Sequence, residues 1–460
     1  MTEDDMDALG LAATLSQSYV RGISKRRVFP GDMELVSLEA FREPWPDGPS
    51  PAAETIRLLD AAGSPATVAT TGSRYFGFVT GGALPAALAA DWMVSAWDQP
   101  AALPILSPAV AAIESAAARW VLEALNLPTS AAVSFPTGAS YGNLIALAAA
   151  RRAVLLRQNY DVDELGLRGA PPFRVIISDE AHSTLIKGLG VLGIGRQAVE
   201  IVPTDDQGRM RLEALPPLDD STIVCVQAGN VNSGSFDPIA DIAARTKAAG
   251  AWLHVDGAFG LWARAAPQLA HLAAGIEHAD SWVTDGHKWL NTPYDCGIVI
   301  CRDPQALHGA MSITAAYMPE GEIVPAKDRL IEFSRRARGV TVWAAMRVLG
   351  RQGLSNLIET CCKHAQTLRA GLLKMGWTIH NDVILNQVVA SYESGERTEL
   401  IRTAVNAEGI CWFGPTRWRG QDAIRMSVSS WATAEGDIEA ALDAISAAMI
   451  STAQSPTPSS

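Results

Sequence analysis

The sequence predicts an α/β protein, with a large domain built on a mostly parallel sheet and a smaller C-terminal α/β domain. Three features predict it. Between residues 173 and 285 the runs FRVIIS, VEIVP, TIVCVQ, AWLHVD and SWVTD are short, rich in β-branched residues and apolar on both faces, as strands covered on two sides must be. Each run is followed by a helical pattern or a loop, which gives the crossover connections that parallel strands need. From about residue 352 the pattern changes to a long helix, LSNLIETCCKHAQTLRAGLLKMG. Strand-like NQVVAS, a helix near 397–408, strand-like AIRMSVS and a closing helix near 433–449 follow it.

From the N-terminus onward, residues 1–60 join a helical opening to FREPWPDGPSP, whose prolines interrupt helix and sheet alike, so this stretch is expected to be an arm. The large domain spans 61–350 and the smaller one 351–450, while 451–460, ending in AQSPTPSS, has almost nothing to bury and is expected to be a disordered tail. A chain of 460 residues, 48% of them apolar, is long enough for a sizeable core. Its formal charge of −12 lacks the excess of Lys and Arg that nucleic acid or an anionic membrane surface attracts. Small-molecule chemistry fits that balance better. Cys225, Cys296, Cys301, Cys361, Cys362 and Cys411 form no C-x-x-C pair, so neither a zinc site nor a dithiol is expected, and the thiols read as reduced. The opening MTEDDMDALG is acidic where a secretory signal is basic and then apolar, and no apolar run reaches membrane-spanning length; the expected location is the cytoplasm.

In open α/β sheets ligands bind beyond the carboxyl ends of the strands, so the residues there carry the functional expectation. Asp256 closes one strand, and the segment HVDGAFG (254–260) supplies two glycines that allow close approach. A buried carboxylate needs a partner. A pyridinium nitrogen would serve, because the ion pair keeps the ring protonated and therefore an electron sink; capping of the next helix is the alternative use. After SWVTD comes Asp285-Gly286-His287-Lys288-Trp289-Leu290, where Lys288 alone among the scarce lysines sits between a strand end and an aromatic, apolar run. Burial lowers the pKa of an amine and suits it to Schiff-base chemistry, although a single strand-end lysine also serves as a snorkelling surface residue.

Two further segments complete the set. Ser178-Asp179-Glu180-Ala181-His182-Ser183 follows the first run, and His182 can lie flat over a planar ligand or be an ordinary satisfied histidine. Phe135-Pro136-Thr137-Gly138-Ala139-Ser140 leads into the helical YGNLIALAAARRAVLLRQ. Small residues at a helix start leave N–H groups pointing outward, where a phosphate fits; Thr137 or Ser140 as a plain N-cap is the alternative. Each signal is weak by itself. In this order and spacing they match the needs of one cofactor, pyridoxal 5'-phosphate, held by Lys288 as an internal aldimine.

With these residues in view, the sequence resembles the group II pyridoxal-phosphate-dependent decarboxylases, the family of aromatic L-amino-acid decarboxylase and glutamate decarboxylase. The resemblance runs from about Gly77 to Trp343, through SDEAHSTLIKGLGVLG, SFDPIADIAARTKAAGAWLHVDGAFG and GIEHADSWVTDGHKWLNTPYDCG. It implies the fold-type I architecture of the pyridoxal-phosphate-dependent transferases and a homodimer, with the N-terminal arm wrapping a partner subunit. By the same resemblance Lys288 is the aldimine lysine, His182 stacks on the ring, Asp256 pairs with its nitrogen and Ala258 backs it. Gly138, Ala139 and Ser140 meet the phosphate, with Asp285 and His287 as neighbours.

Three departures accompany the resemblance. Many members carry G-T-T where this chain has Gly229-Asn230-Val231-Asn232, so a threonine contact near the cofactor is expected to be either absent or replaced, with Asn230 as the candidate substitute. The loop between Tyr317 and Ser334 is shorter than in aromatic decarboxylases, with Tyr317 near the tyrosine that returns a proton to the α-carbon. Trp97, Asp98 and Gln99 fall on the substrate-pocket segment; Asp98 there points to a distal cationic or hydroxyl group, or to a structural hydrogen bond. The implied reaction is decarboxylation of an L-amino acid to an amine and carbon dioxide. Oxidative deamination to an aldehyde, transamination and retro-aldol cleavage share the fold. A transaminase would need a basic residue for the α-carboxylate, for which Arg417, Arg419, Arg425 and the run Arg335–Arg338 are candidates. A silent relative acting as cofactor store or scaffold is the remaining class, and the presence of all four cofactor groups weighs against it.

Overall fold

The computed structural model describes residues 3–312 and 325–453. By contact the chain divides into two compact units, one of residues 81–366 with 381–387, the other of residues up to 80 with 367–380 and those from 388 onward.

The larger unit carries a seven-stranded sheet in the order β1-β7-β6-β5-β4-β2-β3. Its strands are β1 Ala132–Ser134, β2 Arg174–Ser178, β3 Val199–Val202, β4 Thr222–Gln227, β5 Trp252–Asp256, β6 Ser281–Asp285 and β7 Gly297–Cys301. Strands β2 to β6 pair in parallel, whereas β7 runs antiparallel to both β6 and β1. The five strands expected from the sequence are β2 to β6. β1 is only three residues long, and β7 follows β6 without an intervening helix, so neither carries the length or crossover signal of a parallel strand.

Alternation along the strands sets which residues meet the helix Ala139–Arg157. Val175 and Ile177 of β2, Ile223 and Cys225 of β4, and Val283 of β6 share one core with Ile145, Ala146, Leu147, Ala150 and Val154 of that helix. Each fully buried aliphatic side chain of this kind contributes about 1.5–3 kcal/mol. Gly142 lets the helix lie close to the sheet: a Cβ there would come within 2.9 Å of Val283 Cγ1. That packing fixes the start of the helix against the end of β6.

The smaller unit holds a four-stranded antiparallel sheet in the order β10-β11-β9-β8, formed by β8 Thr378–Ile379, β9 Gln387–Ser391, β10 Gly414–Trp418 and β11 Gln421–Ser427. The helices Gly395–Glu408 and Glu435–Ala453 flank these strands in sequence. β10 and β11 form a hairpin whose two turn residues, Arg419 and Gly420, have φ of 50° and 81°. Positive φ at both positions is the turn that matches strand twist. The first eighty residues belong to this unit, as the bonds Val28 N–H to Gly409 O (2.8 Å) and Phe76 N–H to Trp412 O (2.8 Å) illustrate. Among the described residues no helix is long and apolar enough to cross a membrane.

Candidate active site

Register brings three strand ends into line. Gln227 of β4 pairs with Asp256 of β5, and Asp256 with Val283 of β6, two residues short of Asp285. Asp256 is 7% exposed. Its Oδ2 accepts an N–H from Asn143 Nδ2 at 3.1 Å, and its Oδ1 accepts the backbone N–H of Ala258 at 3.2 Å. A carboxylate so placed is held by donors, as a buried anion must be.

Asp285 ties the neighbouring strand end to the helix start. Its Oδ1 accepts the Ala139 N–H at 2.6 Å, and its own backbone N–H donates to Ala258 O at 2.9 Å. Lys288 Nζ stands 3.2 Å from Asp285 Oδ2, with the lysine side chain 22% exposed. Trp289 and Leu290, both fully buried, anchor the turn that carries the amine. Gly81 crosses directly over this turn, since a Cβ there would lie 1.7 Å from Lys288 O.

His287 stacks on Tyr294 with ring centroids 4.3 Å apart, and its Nδ1 accepts the Cys296 N–H at 3.1 Å. Burial, more than any neighbouring charge, pushes its pKa down from 6.5, so at neutral pH the ring is uncharged. Gly138 begins the helix Ala139–Arg157, and a Cβ on it would sit 3.3 Å from His287 Cε1. Ser140 is exposed in the first turn of that helix. Lys288, Asp285, His287, Gly138 and Ala139 are thus brought together, and Ala258 joins them to Asp256.

His182 follows β2 and caps the helix Ser183–Val191. It is exposed, and its Nδ1 lies 2.7 Å from Thr184 Oγ1. Gln227 Nε2 donates to Glu180 O at 2.7 Å, tying the exit of β2 to the end of β4. Asn230 is buried with its side chain engaged in its own loop: Oδ1 accepts N–H groups of Asn232 (2.8 Å) and Ser233 (3.2 Å), and Nδ2 donates to Gln227 Oε1 at 3.4 Å. Trp97, Asp98 and Gln99 are exposed at the C-terminal end of the helix Pro85–Trp97, with Asp98 at φ 47° and Gln99 Nε2 donating to Trp97 O at 3.0 Å. Tyr317 lies outside the described residues.

Sequence reasoning did not single out Asn143, His254 or Gly81. Asn143 is a lone amide on the apolar face of a helix, four residues after Ala139, and that oddity was the available signal. His254 shares a strand face with Asp256 by simple alternation. Among the described residues no group of His, Cys, Asp or Glu is placed to hold a metal ion.

The family model described as the pyridoxal-dependent decarboxylase conserved domain matches residues 65–392. Tryptophan decarboxylase 1 of Oryza sativa subsp. japonica is 29% identical over 388 residues, which is 78% of this chain and 74% of that protein. The 4-hydroxyphenylacetaldehyde synthase of Rhodiola rosea is 31% identical over 271 residues, 55% of this chain and 53% of that one. A crystal structure of Oryza sativa TDC with PLP and tryptamine superposes with a TM-score of 0.87 over 98% of this chain and 99% of the other, at 23% identity. The fold is that of fold-type I.

Proposed function

Since the chain belongs to the pyridoxal-dependent decarboxylase family and is a carboxy-lyase with pyridoxal 5'-phosphate as cofactor, we propose that it converts an L-amino acid to the corresponding amine and carbon dioxide. One observation carries this reading: the Asp256 carboxylate, gripped by Asn143 and Ala258 at the end of β5, is linked through Ala258 to the turn that presents the Lys288 amine after β6.

The residues present fit the cofactor. A helix of nineteen residues starts at Ala139 beside the amine, which suits a phosphate, and a Cβ on Gly297 would strike the Gly138 backbone at 2.5 Å, so that cradle is closed to larger residues. Lys288 would hold the aldehyde carbon, Asp256 the ring nitrogen, His182 and Ala258 the two faces. Gly138, Ala139 and Ser140 would take the phosphate, with His287 and Asp285 alongside and Asn230 shaping the β4 exit. When bound, the cofactor supplies an electron sink for the pair left behind as the Cα–carboxylate bond breaks.

The chain's own groups do the rest. Asp256, nearly shut off from water, holds a positive charge on the ring nitrogen more strongly than an exposed carboxylate would. Asp285 keeps the Lys288 amine in place at 3.2 Å before the cofactor arrives. Tyr317 is assigned the return of a proton to Cα. Trp97, Asp98 and Gln99 are assigned to substrate choice, Asp98 favouring a distal cation or hydroxyl.

Three of the arginines that a transaminase could use for the α-carboxylate are taken by side-chain partners. Arg335 pairs with Glu114 (2.9 Å), Arg336 with Asp91 (2.8 Å) and Arg338 with Asp295 (2.8 Å), leaving these guanidinium groups committed to side-chain carboxylates. Aldehyde formation remains the second reading, on the similarity to the Rhodiola rosea synthase. We assign the working form as a cytoplasmic homodimer, supported by the exposure of Met33, Val36, Phe41 and Trp45 in the N-terminal stretch.

Incubation of the purified protein with a panel of L-amino acids, scoring carbon dioxide, peroxide and keto acid separately, tests the reaction. Amine with carbon dioxide and no peroxide is expected; stoichiometric peroxide would move the assignment to aldehyde formation. The Lys288→Ala variant should lose the borohydride-reducible bond to the cofactor, and its persistence would overturn the lysine assignment.

A further inference from the structure

Beneath Asp256 runs a chain of hydrogen bonds that has a single self-consistent direction. Trp252 Nε1 has only a proton to give, and it donates to Ser281 Oγ at 3.0 Å. At the far end Asn143 Nδ2 donates to Asp256 Oδ2 at 3.1 Å. His254 stands between them, with Nδ1 2.9 Å from Ser281 Oγ and Nε2 2.8 Å from Asn143 Oδ1. Because Asn143 turns its NH2 group toward the aspartate, its carbonyl oxygen must accept, so His254 Nε2 carries the hydrogen. Nδ1 then accepts the hydroxyl proton of Ser281, which itself accepts from Trp252. Burial pushes the His254 pKa down to about 4, consistent with one ring proton at neutral pH.

All three middle members are buried almost completely: Asn143 is 1% exposed, His254 and Ser281 0%. Polar groups this deep cost free energy, and apolar residues of similar size would fill the same space. What the chain delivers in return is an oriented N–H at one oxygen of Asp256, while Ala258 holds the other. Two donors on two oxygens fix the plane of a carboxylate.

We propose that Asn143, itself oriented by His254 and Ser281, is a positioning residue that sets the plane of the Asp256 carboxylate for the cofactor's ring nitrogen. This rests on the assignment of Asp256 to that nitrogen. The network acts through the aspartate and touches neither substrate nor reacting atoms.

The test uses holoprotein loaded with pyridoxal phosphate labelled with 15N in the ring, whose chemical shift reports the proton on that nitrogen. In Asn143→Ala the signal should move toward the unprotonated value, and the dissociation constant for the cofactor should rise about tenfold, the weight of one hydrogen bond to a charged group. His254→Gln keeps a donor facing Asn143 and should stay near wild type. His254→Leu removes it and should shift the ring signal in the same direction as Asn143→Ala. This pair preserves the test if Asn143→Ala fails to fold. An unmoved ring signal in both Asn143→Ala and His254→Leu, even with lowered thermal stability, would reduce the network to packing and overturn the proposal. A wild-type protein that takes up no cofactor would instead overturn the functional assignment, and the positioning role with it.

Discussion

Asp256 ends one parallel strand of the sheet and His182 lies just beyond another, yet their surroundings differ. Asp256 is 7% exposed, each oxygen receives an N–H, and a buried chain of polar groups stands behind it. His182 is exposed, with its Nδ1 edge held by the hydroxyl and backbone N–H of Thr184. A charge pair depends on direction and on exclusion of water, so its protein half is worth building rigidly. A stacking face tolerates small displacements and must stay open for a planar ligand to enter. The sheet therefore carries a rigidly held carboxylate at the end of one strand and an exposed imidazole beyond another.

Substitutions at the two residues should separate by size. Asp256→Ala should lower kcat by about 10²–10³-fold in cofactor-saturated protein, the range expected when a preorganised electrostatic contact is removed; a loss no greater than that of His182→Ala would erase the contrast.

Acid should act on the rigid side next. Burial pushes the His254 imidazole from its ordinary 6.5 down to about 4 in the folded protein, so the folded state resists the proton. Its contribution to stability is complete above pH 6.5 and is lost as pH falls toward 4, by about 3 kcal/mol in all. Denaturant titrations at pH 7.5 and 4.5 should show a smaller acid loss in His254→Gln than in wild type; equal losses would mean that the imidazole does not titrate this way.

On the open side, His182→Ala should weaken cofactor binding by about three- to tenfold, the worth of one aromatic contact, measured by fluorescence titration with little change in melting temperature. Thr184→Val removes the hydroxyl at the edge of the ring but keeps the backbone N–H that His182 Nδ1 accepts at 3.4 Å, and should cost about two- to threefold in the same titration. A Thr184→Val effect larger than that of His182→Ala would show that orientation, not stacking, dominates there.

How much of this was legible follows the same division. β2 to β6 could be read because strands covered on both sides spell continuous apolar runs, and Asp256 ends β5 while Lys288 and His182 lie a few residues beyond β6 and β2. The antiparallel return β7 and the three-residue β1 lack that signature. Asn143 could be seen as polar in an apolar helix, but nothing in the sequence says that its partner lies 113 positions on. Asn230 was expected near the cofactor by analogy; which of its bonds close its own loop is a matter of turn geometry that no spacing rule encodes. The grouping of the first eighty residues with the C-terminal segments rests on bonds such as Val28 to Gly409, which join parts of the chain that local pattern cannot connect.

Gly81 imposes a limit of another kind. With its α-carbon pressed onto the Lys288 carbonyl, even one methyl group would need space already taken by main chain at 1.7 Å. Libraries that randomise position 81 should return glycine alone, whereas the surface-facing Trp97, Asp98 and Gln99 should accept many replacements without loss of the fold.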